Sequence, residues 1–243
     1  MQIDINCDLG EGVGNDTAIM PLISSCNIAC GGHAGDAKSM HDTLLLAKQY
    51  NVKIGAHPSF PDKDNFGRKV INIDSKKLME SIYNQIDNLK IAMDKLNLKM
   101  HHVKPHGALY NLAVRDKKTA KVVIDAIKKT DLDIFLYAPF NSELANNAIK
   151  ENIPVTYEAF MDRRYNNNLT LVPRQYNNAV ITNPKEVIIQ LSNIIYHQKV
   201  ISITNKEVKI KADTYCIHGD NLNAINILKN LKAWCKKERF TIN

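Results

Sequence analysis

The fold is decided by residues 26–57, which read CNIACGGHAGDAKSMHDTLLLAKQYNVKIGAH. Two short apolar runs, Cys26–Cys30 and Val52–His57, have the length and character of buried strands. Between them, Asp36 can cap a helix that continues to Tyr50, because apolar residues recur there at helical spacing. This stretch therefore predicts one β-α-β unit.

The same alternation extends to both sides of this unit. Further strands are predicted at Ile3–Asp8, Lys99–Val103, Asp131–Tyr137, Ile153–Glu158 and Tyr215–His218, and a hairpin is predicted over Val200–Ile203 and Glu207–Ile210. Alternating strands and helices require parallel strands joined by right-handed crossovers, in an open doubly wound sheet or a closed barrel. Seven strand candidates favour an α/β barrel, and the 243-residue length suits a single domain over residues 1–243.

Composition argues against several classes of function. The net charge of +7 comes largely from lysines scattered over helical stretches, without an arginine-rich block, so we expect a solvated basic surface and no nucleic-acid partner. No stretch is apolar over the roughly 18 residues of a membrane span, so we expect no membrane partner and a cytoplasmic location. The five cysteines form no CxxC pair and are interpreted as reduced core residues.

Polar and titratable residues follow the predicted strands. In barrels and open α/β sheets, reactive residues lie at the carboxyl ends of strands, where the loops meet around one pocket. The residues predicted at these ends are Asp8, His33, His57, His106, Glu158 and His218. Any one of them can have a structural role, and Asp36 and Asp220 can simply cap helices. Four histidines on one face nevertheless predict an active site.

The remaining histidines lie elsewhere in the predicted fold. His41 and His197 fall on helices, and His101 and His102 lie before or within the fourth strand. We therefore expect no role in the site for these four.

Several motifs make the sequence similar to one known family. They are NCDLGE (6–11), NIACGGHAGD (27–36), GAHPS (55–59), FGR (66–68), KPHGALYN (104–111) and CIHGDN (216–221), and they resemble the LamB/YcsF family from Asp4 to the closing helix. The resemblance implies a distorted seven-stranded β/α barrel similar to glycoside hydrolases and polysaccharide deacetylases. It also implies the A subunit of an ATP-dependent 5-oxoprolinase, which opens 5-oxoproline to L-glutamate together with subunits B and C.

The resemblance also suggests how the site residues act. Opening a lactam calls for activation of its carbonyl group, which ATP can supply by phosphorylating the amide oxygen. Since the chain lacks a Gly-x-x-x-x-Gly-Lys-Ser/Thr loop, we expect ATP to be bound with or by partner subunits. Asp8 or Glu158 would activate water, and His57, His106 or His218 would transfer protons. The expected substrate-binding residues are Lys104 and Arg163 as cations for carboxylate or phosphate, with His33, Asp36, Asn111 and Asp220.

Two other functions fit the same residues. A divalent metal held by Asp8, His33 and His57 would polarise a carbonyl group in an amide or deacetylase-type hydrolase. The absence of a compact His-x-x-x-His pair counts against that metal site. A non-catalytic protein that binds a small carboxylate would need the cations but not the histidines.

Overall fold

Seven parallel strands close into a barrel in the computed structural model of this protein, which describes residues 1–242. In chain order, the strands are β1 (Gln2–Leu9), β2 (Ser25–Ala29), β3 (Lys53–His57), β4 (His102–Val103), β5 (Phe135–Pro139), β6 (Val155–Phe160), β7 (Lys199–Ile201), β8 (Glu207–Lys209), β9 (Thr214–His218) and β10 (Thr241–Ile242). The ring runs from β1 through β6 to β9, and β9 pairs with β1 to close it. The predicted barrel is therefore confirmed.

Helices follow most of the strands. They are α1 (Asp16–Ile19), α2 (Ala37–Tyr50), α3 (Ser75–Asp94), α4 (Gly107–Ala113), α5 (Lys117–Lys129), α6 (Glu143–Lys150), α7 (Pro184–His197) and α8 (Ala224–Lys237). Local sequence starts several of them, since Asp74, Asp116 and Asn183 accept hydrogen bonds from backbone N–H groups of α3, α5 and α7. None of the described helices is long and apolar enough to cross a membrane.

The register of β1 brings polar groups together at one end of the barrel. Asp8 on β1 lies opposite Asn27 on β2 and opposite His218 on β9. On the next pair of strands, Ala29 lies opposite His57. Because all seven barrel strands are parallel, their carboxyl ends meet around a single opening.

The apolar core surrounds the barrel, whereas part of the barrel interior is polar. Leu44 of α2 and Ile86 of α3 are fully buried, as helix faces packed on the strands should be. Inside the ring, Asn6 donates a hydrogen bond to Thr214 at 2.9 Å, and Asn27 donates one to Asn6 at 2.9 Å. This interior arrangement supports the residues at the opening.

All five cysteines are free and buried, as expected for reduced core residues. Cys7 and Cys216 lie on barrel strands and are fully buried. Burial raises the pKa of both thiols well above its ordinary value.

The structure differs from the sequence-based elements in a few places. Strand β4 is limited to His102–Val103, whereas the sequence predicts Lys99–Val103. The hairpin of β7 and β8 is confirmed as antiparallel, and α1, α4 and β10 are additional elements that the sequence does not predict. The single-domain assignment stays a prediction, and its last residue, Asn243, lies outside the described residues.

Candidate functional site

The carboxyl ends of the barrel strands open into a cavity of about 430 Å³. Eight of the residues predicted for the site line it: Asp8, His57, Lys104, His106, Asn111, Glu158, Arg163 and His218. Three others lie outside the lining, and each has a different position. His33 packs behind His106, Asp220 contacts arginines at the mouth, and Asp36 caps α2.

A buried ammonium group lies at the base of this cavity. Lys104 Nζ is 2.9 Å from Asp8 Oδ1 and 2.9 Å from Glu158 Oε1, and all three side chains are almost completely buried. Burial opposes the charge on Lys104, but Asp8, Cys216 and Glu158 raise its pKa well above the ordinary value. Two carboxylates therefore already neutralise Lys104, which makes it a weaker anchor for a ligand anion than the sequence suggests.

Asp8 is held in its charged form. Burial by itself would raise the pKa of its carboxyl, but the charges of His57 and Lys104 and a hydrogen bond to His57 lower it well below the ordinary value. Asn27 also donates a hydrogen bond to Asp8 Oδ1 at 2.8 Å. A carboxylate stabilised in this way is a weak base.

His102 supports this arrangement, although the sequence places it outside the predicted site. Its Nε2 donates to Asn27 Oδ1 at 2.7 Å and so fixes the amide that donates to Asp8. The ring fits because residue 55 is glycine, where a Cβ atom would overlap the imidazole. A signal is present in the sequence, since residues two apart on a strand share a face and His102 precedes Lys104 by two.

Three imidazoles pack together beside Asp8. His57 Nδ1 lies 2.7 Å from Lys104 O, and His106 Nε2 lies 3.0 Å from Phe66 O. The two remaining nitrogens, His57 Nε2 and His106 Nδ1, are 2.9 Å apart. His33 stacks on His106 with the ring centroids 3.7 Å apart and the planes 4° apart. Burial, together with the charges of His57 and His33, lowers the pKa of His106 well below its ordinary value.

On the opposite side, His218 is paired with a buried carboxylate. Its Nδ1 lies 2.9 Å from Asp162 Oδ1, and its backbone N–H donates to Asp162 Oδ2 at 3.1 Å. Burial tends to raise the pKa of Asp162, but His218 and Asn221 lower it. Since the carboxylate accepts a hydrogen bond from Nδ1, Nε2 of His218 is left for a ligand in the cavity. Asp162 is not among the residues predicted for the site, although it follows β6 closely.

Arginines surround the mouth of the cavity. Arg68, Arg115, Arg163 and Arg174 all line it. Asp220 accepts a hydrogen bond from Arg68 and two from Arg174, at 3.1 and 3.2 Å. The positive charges outnumber the one carboxylate between them, so the mouth favours an anionic ligand.

Arg163 differs from the other arginines at the mouth because it is nearly buried. Its guanidinium donates to Val172 O at 2.7 Å and to Ala179 O at 3.3 Å. Burial and the nearby charge of Arg174 lower its pKa to about 10. Two of its five N–H groups are therefore committed to the loop, and Arg68 and Arg174 are the more accessible cations.

Asp36 and Asn111 differ in how they relate to the cavity. Asp36 is exposed and forms a capping box with Ser39, in which its carboxylate accepts a hydrogen bond from the Ser39 backbone. Asn111 is exposed, but it lies on α4 and belongs to the cavity lining. The structure thus brings Asn111 to the other predicted residues and leaves Asp36 outside them.

Two clusters of the described residues have the donor atoms that a metal ion requires. Glu11, His33, His57 and His106 offer atoms within 4.8 Å of one another, and so do Asp8, Cys216 and His218. Neither cluster coincides with the ligand set Asp8, His33 and His57 expected from the sequence. Imidazole and carboxylate donors are typical of zinc and related divalent ions.

Comparisons with known proteins agree over the whole chain. A sequence model of the LamB/YcsF family matches residues 3–243. The A subunits of 5-oxoprolinase from Staphylococcus haemolyticus (strain JCSC1435) and Staphylococcus aureus (strain JH9) are each 40% identical, covering 100% of this chain and 99% of theirs. The crystal structure of a lactam utilization protein from Thermus thermophilus has a TM-score of 0.92 and 33% identity, covering 100% of this chain and 99% of that one. This chain is therefore a member of the LamB/YcsF family.

Proposed function

We propose that this chain is the A subunit of an ATP-dependent 5-oxoprolinase, which opens the lactam of 5-oxoproline to give L-glutamate, ADP and phosphate. The names of its relatives support a reaction of this class. The observation that carries the proposal is the oriented pair of His218 and Asp162 beside a cavity whose mouth is rich in arginine. The histidine can act as a general base on a water nucleophile, and the positive mouth favours an anionic substrate.

The proposed reaction has three steps: phosphoryl transfer, ring opening and hydrolysis of an acyl phosphate. ATP transfers its γ-phosphoryl group to the amide oxygen of the lactam, and ADP leaves. Water then adds to the ring carbon, and the C–N bond breaks as the nitrogen takes up a proton, which gives an acyl phosphate. A second water hydrolyses the acyl phosphate to the carboxylate and phosphate. We assign the ATP chemistry to subunits B and C, because no phosphate-binding loop motif occurs in this sequence.

Within this chain, we assign the general base to His218 Nε2, with Asp162 holding the ring in the required tautomer. The sequence suggests Asp8 as a residue that activates water, but its lowered pKa favours a role in fixing Lys104 and His57 instead. Glu158 is the alternative general base. Its carboxylate accepts a hydrogen bond from the Tyr110 hydroxyl at 2.7 Å. Protonation of the leaving nitrogen falls to His218 Nε2, which carries the proton that it takes from water.

Binding of the substrate falls to the mouth of the cavity. Arg68 and Arg174 are placed to bind its carboxylate or phosphoryl group, with Arg163 and Asn111 completing that side. An arriving anion would compete with Asp220 for the guanidinium groups. The proposal also places the protein in the cytoplasm, where ATP is supplied.

The decisive experiment measures ATP hydrolysis and glutamate formation that depend on 5-oxoproline, for this chain alone and with subunits B and C. We expect turnover only with the partners, and a large loss in His218→Asn but not in His197→Asn, a matched change on α7. No glutamate in any combination, with substrate still bound, would favour a non-catalytic binding protein. ATP-independent amide hydrolysis abolished by a chelator would favour a metal-dependent amide or deacetylase-type hydrolase.

A further inference from the structure

The protonation of His57 and His106 is determined by their neighbours. A carbonyl oxygen only accepts hydrogen bonds, so His57 Nδ1 must donate to Lys104 O and His106 Nε2 must donate to Phe66 O. In neutral rings, the other two nitrogens therefore both carry lone pairs. These nitrogens face each other at 2.9 Å. Two acceptors at this distance repel, so a positive charge belongs between them, either a metal ion or an additional proton.

Glu11 adds a negative oxygen to the same place. Its Oε1 is 3.5 Å from His106 Nδ1, and its side chain is almost completely buried. In a tetrahedral zinc site with ligands about 2.1 Å from the metal, neighbouring ligand atoms lie about 3.4 Å apart. The separation of 3.5 Å is close to that value, and the two imidazole nitrogens at 2.9 Å would move apart slightly to bind one ion.

The outer hydrogen bonds of the two imidazoles also fit a metal site. Histidines that bind metals almost always donate their other ring N–H to a carbonyl or carboxylate, which fixes the tautomer. His57 and His106 both do so, to Lys104 O and Phe66 O. A pair of rings that merely share a proton does not require both outer donors to be fixed in this way.

His33 cannot join His106 in binding one ion. The two rings are stacked and nearly parallel, with their centroids 3.7 Å apart. An imidazole lone pair lies in the plane of its ring, so an ion in the plane of His106 would lie far outside the plane of His33. His33 Nε2 is instead 3.0 Å from Glu11 Oε1 and orients that carboxylate.

We propose that Glu11, His57 and His106 bind one divalent transition-metal ion of the zinc class, with His33 as a positioning residue. Three protein ligands leave a coordination position open, as in catalytic zinc sites. Asp8 Oδ2, 3.4 Å from His57 Nε2, lies beside the site. An ion held there would polarise a carbonyl oxygen or bind a water molecule. The metal-binding proposal is independent of the identity of the substrate.

Metal binding by the full chain tests the proposal without an activity assay. The protein is stripped with a chelator and titrated with ZnCl₂ and separately with CoCl₂, while bound metal is measured by mass spectrometry. We expect one ion per chain, a higher Tm that the chelator reverses, and the visible absorption of four- or five-coordinate Co(II). Absence of binding to the wild-type protein would overturn the proposal and leave a shared proton between the rings.

Variants of the same chain test the ligand assignment. We expect His57→Asn, His106→Asn and Glu11→Gln each to lose the ion, and His197→Asn, on a distant helix, to keep it. His33→Asn should keep one ion per chain with affinity reduced about 10–100-fold, as for residues that orient a ligand. The assignment would be overturned if the His33→Asn variant lost the metal ion and the His106→Asn variant kept it. The titration of the wild-type protein tests metal binding even if one of the variants folds poorly.

Discussion

Replacing Lys104 by Met should destabilise the protein strongly. The change keeps most of the side-chain volume but removes an ammonium group that lies 2.9 Å from both Asp8 and Glu158 and 3.2 Å from Asn6 Oδ1. Removing one partner of a buried ion pair costs about 3–5 kcal/mol, because the remaining charge stays buried and unpaired. In a chain of this length, each kcal/mol lowers Tm by about 2–4 °C. We therefore expect a loss of about 6–20 °C, measured by circular dichroism at pH 7.

The pH dependence of this loss provides a second check. The lowered pKa of Asp8 in the wild-type protein contributes stability that is present above its unfolded pKa of about 3.9 and lost as the pH falls below it. Without Lys104, the pKa of Asp8 rises and the folded variant takes up protons first. The difference between variant and wild type should thus shrink as the pH falls from 7 toward the unfolded pKa of Asp8.

A surface lysine serves as the matched control for Lys104. Lys121→Met removes an exposed ion pair with Asp125 on α5 and should leave Tm unchanged. The double variant Lys104→Met/Glu158→Gln should recover part of the lost stability, since it also removes one of the orphaned charges. The reasoning is refuted if Lys104→Met costs less than about 1 kcal/mol, or if the penalty grows on acidification.

Three further predictions concern other parts of the structure. In the proposed complex with subunits B and C, His218→Asn should lower kcat about 10²–10⁴-fold. Asp162→Asn should lower kcat and alter its pH profile with little change in KM, and an unchanged kcat in both variants would remove this pair from catalysis. Gly55→Ala places a methyl group against the ring of His102 and should cost about 1–3 kcal/mol in urea unfolding, so wild-type stability would contradict the packing. Asp36→Ala should slightly lower Tm by removing a helix cap while KM for 5-oxoproline stays the same; a raised KM would support the substrate-binding role expected from the sequence.

Local sequence signals locate most of the barrel. Long periodic helices such as α3 and strands with clear apolar runs such as β3 carry strong signals, because burial of one face imposes a fixed spacing. The missed elements are short. Helix α4 has seven residues and no side-chain cap at His106, and β10 has only two residues. Such elements are stabilised by tertiary contacts that sequence spacing does not reveal.

The candidate site is predicted only in part for a similar reason. His57, His106 and His218 follow predicted strands, so topology alone brings them to one opening. The partners Glu11 and Asp162 lie in loops, and only the path of the folded chain brings them to His33 and His218. The sequence also does not show that Lys104 is already neutralised, because that depends on which side chains meet inside the barrel.

Because all five thiols are buried, their reaction with a cysteine reagent can be used to measure unfolding of the protein. A cysteine reagent needs an exposed thiolate, and Cys7, Cys26, Cys30 and Cys216 are fully buried with raised pKa values. These four lie on β1, β2 and β9 of the closed ring or directly after β2, so the reagent reaches them only when the ring opens. Their labelling rate therefore measures how often the barrel comes apart under native conditions, without any probe being added to the chain.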